Sequence, residues 1–320
     1  MLRSMAIAAV GGNALLQSAC SSEDDPAAKG GKDCKVDSGE APLVSTTNGS
    51  DCSTVGKNAA ITHGPLTGGV SDTRIVISAR LDGPAKVRFR LTPDGGDAMW
   101  SDCLLAKADA DFTVRAVVEG LVASKTYAVV PEIDDKLDPG QGIESHTFPA
   151  AGKAAAFTFA FGSCQRQSNA ASQSVSGGRT YDQIAKEPPL FFAQIGDWTY
   201  ADYQFAQSFA TGGGAGGWGG TDKEGNNYTV FPDAIKKSYH RRLDPNYAMS
   251  KLTATTPIAH VWDDHDFAEN NAHREVTGKQ SDRVDAFERY LPTYPLPKSR
   301  AGVWQRFSVG HVDAWMIDMR

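Results

Sequence analysis

The apolar run Pro257-Ile-Ala-His-Val-Trp262 ends abruptly on four consecutive ionisable residues, Asp263-Asp264-His265-Asp266. A short, nearly continuous apolar run reads as a strand buried on both faces of a sheet. Four ionisable groups at the end of such a strand repel one another unless a cation or a hydrogen-bond network compensates them. The chain must therefore build a sheet whose strand ends stay open to carry chemistry. Open α/β sheets do this, placing their sites beyond the carboxyl ends of the strands.

Two further runs follow the same plan. Phe157-Thr-Phe-Ala-Phe161 ends in Gly162-Ser163-Cys164, and Leu190-Phe-Phe-Ala-Gln-Ile195 ends in Gly196-Asp197-Trp198-Thr199-Tyr200. Helices are predicted at Tyr181–Glu187, Pro232–Leu243 and Arg283–Tyr290, and a last strand at Val312–Ile317. This β-α-β rhythm indicates a layered α/β fold. Taken singly, a cysteine after a strand is more often structural, and Gly-Asp at a strand end more often a turn. Three strands delivering Cys164, Asp197 with Tyr200, and Asp264 with His265 to one edge reverses those odds. Thr211 to Gly220 is almost all glycine but lacks the Gly-Lys-Ser/Thr ending of a phosphate loop, so it reads as a mobile surface loop. His240, Arg241 and Arg242 fall on the long helix, where the usual reading is a solvated face, and His311 reads as structural.

Upstream of Ala151 the texture changes. Residues 59–151 alternate apolar and polar positions, as in Arg74–Arg80, Ala85–Leu91 and Asp111–Val118, which predicts a β-sandwich. Gly120-Leu-Val-Ala-Ser-Lys-Thr-Tyr127 resembles the tyrosine corner of a fibronectin type III sandwich, in which the hydroxyl bonds back to the backbone. Residues 1–20 read as an export signal: one positive charge, a short apolar stretch from Ala6 to Leu16, then Ala19-Cys20 before a polar run. Cys20 resembles the acylated residue of a bacterial lipoprotein, with ordinary secretory cleavage near Ala19 as the alternative. Residues 21–58, poor in aromatics, read as a flexible tether. In an oxidising compartment Cys34 and Cys52 could pair, and Cys103 reads as a small buried hydrophobe. With 32 basic against 38 acidic residues the net charge is −6, which argues against a nucleic-acid-binding surface.

Phe161-Gly-Ser-Cys164, Gly196-Asp197-x-x-Tyr200, Trp262-Asp-Asp-His-Asp266 with Asn270, and Ile317-Asp-Met-Arg320 together resemble the segments of PhoD-like alkaline phosphatases, a branch of the calcineurin-like metallophosphatases. The resemblance spans roughly residues 59–320 and includes the fibronectin-like leader of that family. It implies an α/β/β/α metallophosphatase sandwich over residues 152–320. It also implies a phosphatase or phosphodiesterase that binds Fe(III) through Cys164, Asp197 and Tyr200, and Ca(II) through Asp264 and Asn270, with Asp197 shared. His265 takes the position of the catalytic histidine, expected to hydrogen-bond the phosphate and protonate the leaving alkoxide. The implied reaction is in-line attack of a metal-activated oxygen nucleophile on phosphorus. With the N-terminal signal, the expectation is an exported monomer anchored to the membrane through Cys20.

Magnitude favours metal chemistry independently. One acid–base side chain supplies about 10²–10⁴-fold, whereas phosphomonoester hydrolysis is accelerated by up to about 10²¹-fold. The sequence stops at Arg320 directly after a strand and lacks the family's later Gly-Asp-x-His segment, so the layered fold is expected to be incomplete at its C-terminus. Two other readings remain at this level: an inactive surface lipoprotein whose sandwich is a binding module, and a thiol hydrolase using Cys164 and His265. The second leaves Asp197, Tyr200 and Asp264 without a role.

Overall fold

The structure, a computed structural model, describes residues 59–165, 178–200, 218–221, 227–230, 232–247, 249–267, 271–272 and 280–320. The export signal, the tether, Cys20, Cys34, Cys52 and Asn270 lie outside the described residues.

The leader contributes β1 (Ile61–Gly68), β2 (Arg74–Leu81), β3 (Ala85–Pro93), β4 (Met99–Trp100), β5 (Leu104–Ala106), β6 (Thr113–Glu119), β7 (Thr126–Ile133), β8 (Lys136–Leu137) and β9 (Ile143–His146). Alternation is clearest in β3, where Val87, Phe89 and Leu91 are buried and the intervening Arg88 and Arg90 are half-buried. Each such apolar side chain contributes about 1.5–3 kcal/mol on burial. Strand β3 pairs antiparallel with β4, β5 and β7, and β7 also pairs with β8 and β9. The Tyr127 hydroxyl accepts a hydrogen bond from the Val122 amide at 2.9 Å, the backward bond expected of a tyrosine corner.

The second half contributes β10 (Ala160–Gly162), α1 (Gly178–Ile184), β11 (Phe192–Ile195), β12 (Trp218–Thr221), β13 (Asn227–Val230), α2 (Pro232–Leu243), α3 (Ser250–Thr253), β14 (Ile258–Val261), α4 (Asp264–Phe267), α5 (Gln280–Tyr290), β15 (Gln305–Val309) and β16 (Val312–Met316). One six-stranded sheet runs in the order β10-β11-β14-β1-β2-β6. Strands β10, β11, β14 and β1 are parallel neighbours, whereas β2 and β6 run antiparallel. The leader's first strand thus joins the central sheet, through Gly68 opposite Ile258. A Cβ on Gly68 would lie 2.4 Å from the Ile258 carbonyl oxygen, so only glycine permits that approach.

Charge locks the same seam. Asp111 is buried, and its carboxylate accepts from Arg80 Nε at 3.0 Å, Lys236 Nζ at 2.7 Å, His240 Nε2 at 2.5 Å and the Tyr290 hydroxyl at 3.0 Å. It thereby ties the loop before β6 to α2 and α5. His240 and Arg242 consequently do not lie on a solvated face: His240 is half-buried against Asp111, and Arg242 is 2% exposed.

Three other expectations are corrected. The run 157–161 is not buried on both faces: among the described strands β10 is the edge of the sheet, and Phe159 and Phe161 are exposed. The tail of the glycine-rich stretch is not loop, since Trp218–Thr221 pairs with Asn227–Val230. Cys103 is a half-buried, disulfide-bonded cysteine rather than a buried free thiol.

Candidate metal centre

The turns after β10 and β11 and the start of α4 meet at one edge of the sheet. Gly196 makes this possible at φ +109°, since a Cβ there would lie 2.6 Å from the Cβ of Asp263. Cys164 and Asp197 both adopt left-handed backbone, φ +56° and +55°, in which non-glycine residues are uncommon. The two turns are stitched together, with Cys164 N–H donating to the Gly196 carbonyl at 3.1 Å and Gln165 N–H to the Asp197 carbonyl at 3.0 Å.

Within that frame Asp197, Asp264 and His265 are buried, and their ligating atoms lie within 4.8 Å of one another. The Tyr200 hydroxyl donates to Asp197 Oδ2 at 3.1 Å, and the Tyr200 and His265 rings lie 4.4 Å apart. The Cys164 side chain is exposed, takes a contact from Ser163 Oγ at 3.4 Å, and neighbours Asp197. Five of the six predicted site residues therefore converge: Cys164, Asp197, Tyr200, Asp264 and His265. The sixth, Asn270, lies outside the described residues, although the amide of neighbouring Asn271 donates to Asp264 Oδ2 at 2.5 Å. His265, expected as a proton donor, stands close enough to the two carboxylates to share a cation with them.

The four ionisable residues after β14 divide the charge problem among themselves. Asp263 pairs with Arg320, which also approaches Asp264 Oδ1 at 3.9 Å. Asp266 accepts from the Thr199 amide and hydroxyl at 2.5 and 2.9 Å and from the Asp263 amide at 3.0 Å. Full burial still pushes its carboxyl up to about 7, outweighing those bonds, so Asp266 serves as a structural tie. Burial likewise pushes Asp197 up to about 6, with His265 opposing and Asp264 and Asp263 adding to the rise. Burial also acts to raise Asp264, but the Asn271 amide, His265 and Arg320 outweigh it and hold that carboxyl low.

This is the electrostatic condition of a cation site: buried carboxylates in excess of the local positive charge. The donor set fits the implied ions, with thiol, phenol and carboxylate for a ferric ion and carboxylate oxygens for calcium. Loss of solvent on one side of the Cys164 thiol raises it, and Asp197 and Asp263 add to this against the Ser163 hydrogen bond. The thiolate is the form that a nucleophile and a metal ligand both require, so this shift does not separate the two roles.

Sequence reasoning missed Arg320 as the partner of Asp263, 57 residues away, and Thr199 as the clamp on Asp266. It also missed Arg242, which donates to the Gln165 carbonyl at 2.5 Å and so braces the turn that carries Cys164. None of these carries a local signal, because each partner is brought by the tertiary fold.

The profile of one protein family, described as PhoD-like phosphatase, matches residues 159–320. No curated protein matches the chain. Among solved structures, one described as the structure of PhoD aligns with TM-score 0.56 and 19% identity, over 77% of this chain and 49% of its own. A purple acid phosphatase, PPD1 from yellow lupin (Lupinus luteus) seeds, aligns with TM-score 0.49 and 12% identity, over 77% and 43% of the two chains. The chain thus spans about half the length of the first of these structures. That likeness is one of fold: a metallophosphatase-like α/β layer with a β-sheet domain before it.

Proposed function

The chain belongs to the PhoD-like phosphatase family, a family of metal-dependent phosphoesterases, and from that premise we propose that it hydrolyses phosphoesters at the cluster around Asp197. The observation that carries this reading is the trio Asp197, Asp264 and His265, buried with their ligating atoms within 4.8 Å. Cys164, Asp197 and Tyr200 would hold iron(III), and Asp264 with Asn270 would hold calcium, Asp197 being shared. Bound there, such ions supply Lewis acidity, neutralising phosphoryl oxygens and lowering the pKa of water.

The protein's own residues contribute orientation and proton control. The Tyr200 hydroxyl fixes the Asp197 carboxylate. The His265 amide donates to Asp264 Oδ1 at 3.1 Å, fixing the turn that presents both side chains. His265 is the group that donates a hydrogen bond to the phosphoryl oxygen and a proton to the leaving alkoxide. By pairing with Asp263, Arg320 removes one carboxylate from the competition for cations. We read the leader as fibronectin type III-like, and the protein as an exported monomer anchored through Cys20. The disulfide at Cys103 supports an oxidising compartment.

Elemental analysis of the full chain, paired with p-nitrophenyl phosphate hydrolysis before and after chelation, tests this. Iron and calcium are expected, with activity lost on chelation and restored by the metals. Absence of both metals together with absence of hydrolysis would overturn the reading.

A further inference from the structure

Gln165 follows Cys164 directly, and hydrogen bonds from three separate parts of the fold converge on it. Its N–H donates to the Asp197 carbonyl at 3.0 Å, in the turn after β11. Its carbonyl accepts from the Arg242 guanidinium of α2 at 2.5 Å. Its side-chain Oε1 accepts from the Tyr181 hydroxyl of α1 at 2.5 Å. The holders are themselves held. Arg242 is buried, donates to the Tyr247 hydroxyl, and lies 5.3 Å from the centre of that ring. Tyr181 is buried and sets its ring edge-on to Phe192 of β11 at 5.8 Å. Tyr247 in turn neighbours the Gln165 side chain.

This grip acts on the thiol next to it. Cys164 has φ +56°, a left-handed backbone that persists in a non-glycine residue where its surroundings over-determine it. The peptides on both sides of Cys164 are fixed: its own N–H donates to the Gly196 carbonyl at 3.1 Å, and the Gln165 N–H to the Asp197 carbonyl. Backbone angles limit the directions a side chain can take. A metal ligand needs its position held to within about 0.5 Å by contacts behind it.

We propose that Gln165 is a positioning residue for the Cys164 ligand, locked by Tyr181 and Arg242, and that it couples the packing of α1 and α2 to the strength of the thiolate–metal bond. The proposal rests on the reading of Cys164 as a metal ligand, and not on the reaction carried out there.

Cobalt(II) titration of the metal-free full chain tests it, because thiolate-to-cobalt charge-transfer absorption reports Cys164 ligation whatever the activity. The wild type is expected to show a band that Cys164→Ser removes. Gln165→Met keeps the length of the side chain and loses the bond to Tyr181. It should move the band and weaken cobalt(II) by about two- to tenfold, the equivalent of one hydrogen bond. Tyr181→Phe keeps the ring on Phe192 and lies outside the metal centre. It should have the same effect, which keeps the test valid if the Gln165 variant fails to fold. The double variant should bind cobalt(II) no more weakly than the weaker single variant, since both break one contact. Absence of a thiolate band in the wild type, an unchanged band and affinity in Tyr181→Phe, or additive losses in the double variant would each overturn the proposal. A wild type that shows the band and its shifts but hydrolyses no p-nitrophenyl phosphate would support it while removing the phosphoester reading.

Discussion

His260 on β14 is the buried group whose removal should be most informative. It is 3% exposed, neither ring nitrogen has a hydrogen-bond partner among the described residues, and its ring stacks on Phe287 at 5.1 Å and abuts Trp198 at 5.3 Å. Burial alone pushes the imidazole down to about 3. In the unfolded chain the same ring titrates near 6.5. A histidine depressed in this way contributes its full stability above the unfolded value and loses it as pH falls toward the folded one. At about pH 5 the unfolded chain binds a proton that the native protein refuses. The gap of about 1.5 pH units below 6.5, at 1.36 kcal/mol each, costs about 2 kcal/mol. His260→Phe keeps an aromatic ring against Phe287 and Trp198 and removes the titrating group. Urea midpoints of metal-free protein at about pH 8 and about pH 5 would read the effect, since titrating groups common to both proteins cancel in the comparison. The variant should lose about 2 kcal/mol less than the wild type over that interval. At neutral pH it should be no less stable, because two orphaned nitrogens are gone. Equal losses in the two proteins would show that His260 is solvated or partnered, and the reasoning would fail.

Asp111→Asn should cost about 1–3 kcal/mol in urea denaturation, because the buried carboxylate that accepts from Arg80, Lys236, His240 and Tyr290 becomes an amide with a single acceptor oxygen. A cost below about 1 kcal/mol would show the seam to be held by packing alone. Gly196→Ala should lower iron content along with stability, since its Cβ has no room beside Asp263 and its φ of +109° disfavours any side chain; metal analysis and a melting curve would detect both, and an unchanged iron content would refute it. His265→Ala is expected to reduce p-nitrophenyl phosphate turnover by about 10²–10⁴-fold while the metals stay bound. Loss of metal in step with activity would reassign His265 as a ligand.

Local chemistry explains what was readable in advance. Helix α2 spans Pro232–Leu243 as the pattern predicts, and β11 and β14 fall within the apolar runs that announced them. Apolar periodicity and chain punctuation act over a few residues, so one segment suffices to reveal them. The same holds for the site: Cys164, Asp197, Tyr200, Asp264 and His265 each end or follow a strand, and parallel neighbours in a sheet bring such ends together. Strand β10 was misjudged because an apolar run does not say whether a strand is central or at an edge; Phe159 and Phe161 are exposed for want of a neighbour among the described strands. His240 and Arg242 were misjudged because a charged helix face looks solvated until something is packed on it, here Asp111 and the turn at Gln165.

The amino-acid sequence alone therefore determined which residues could carry the chemistry and on which strands they would sit, since those properties are local. The tertiary structure alone decided how their charges are balanced. Asp263 is neutralised by Arg320, Asp266 is tied to Thr199, and Asp197, Asp264 and His265 are left together with charge to share. Electrostatic balance depends on distance and burial, and both are set by contacts between residues far apart in the chain.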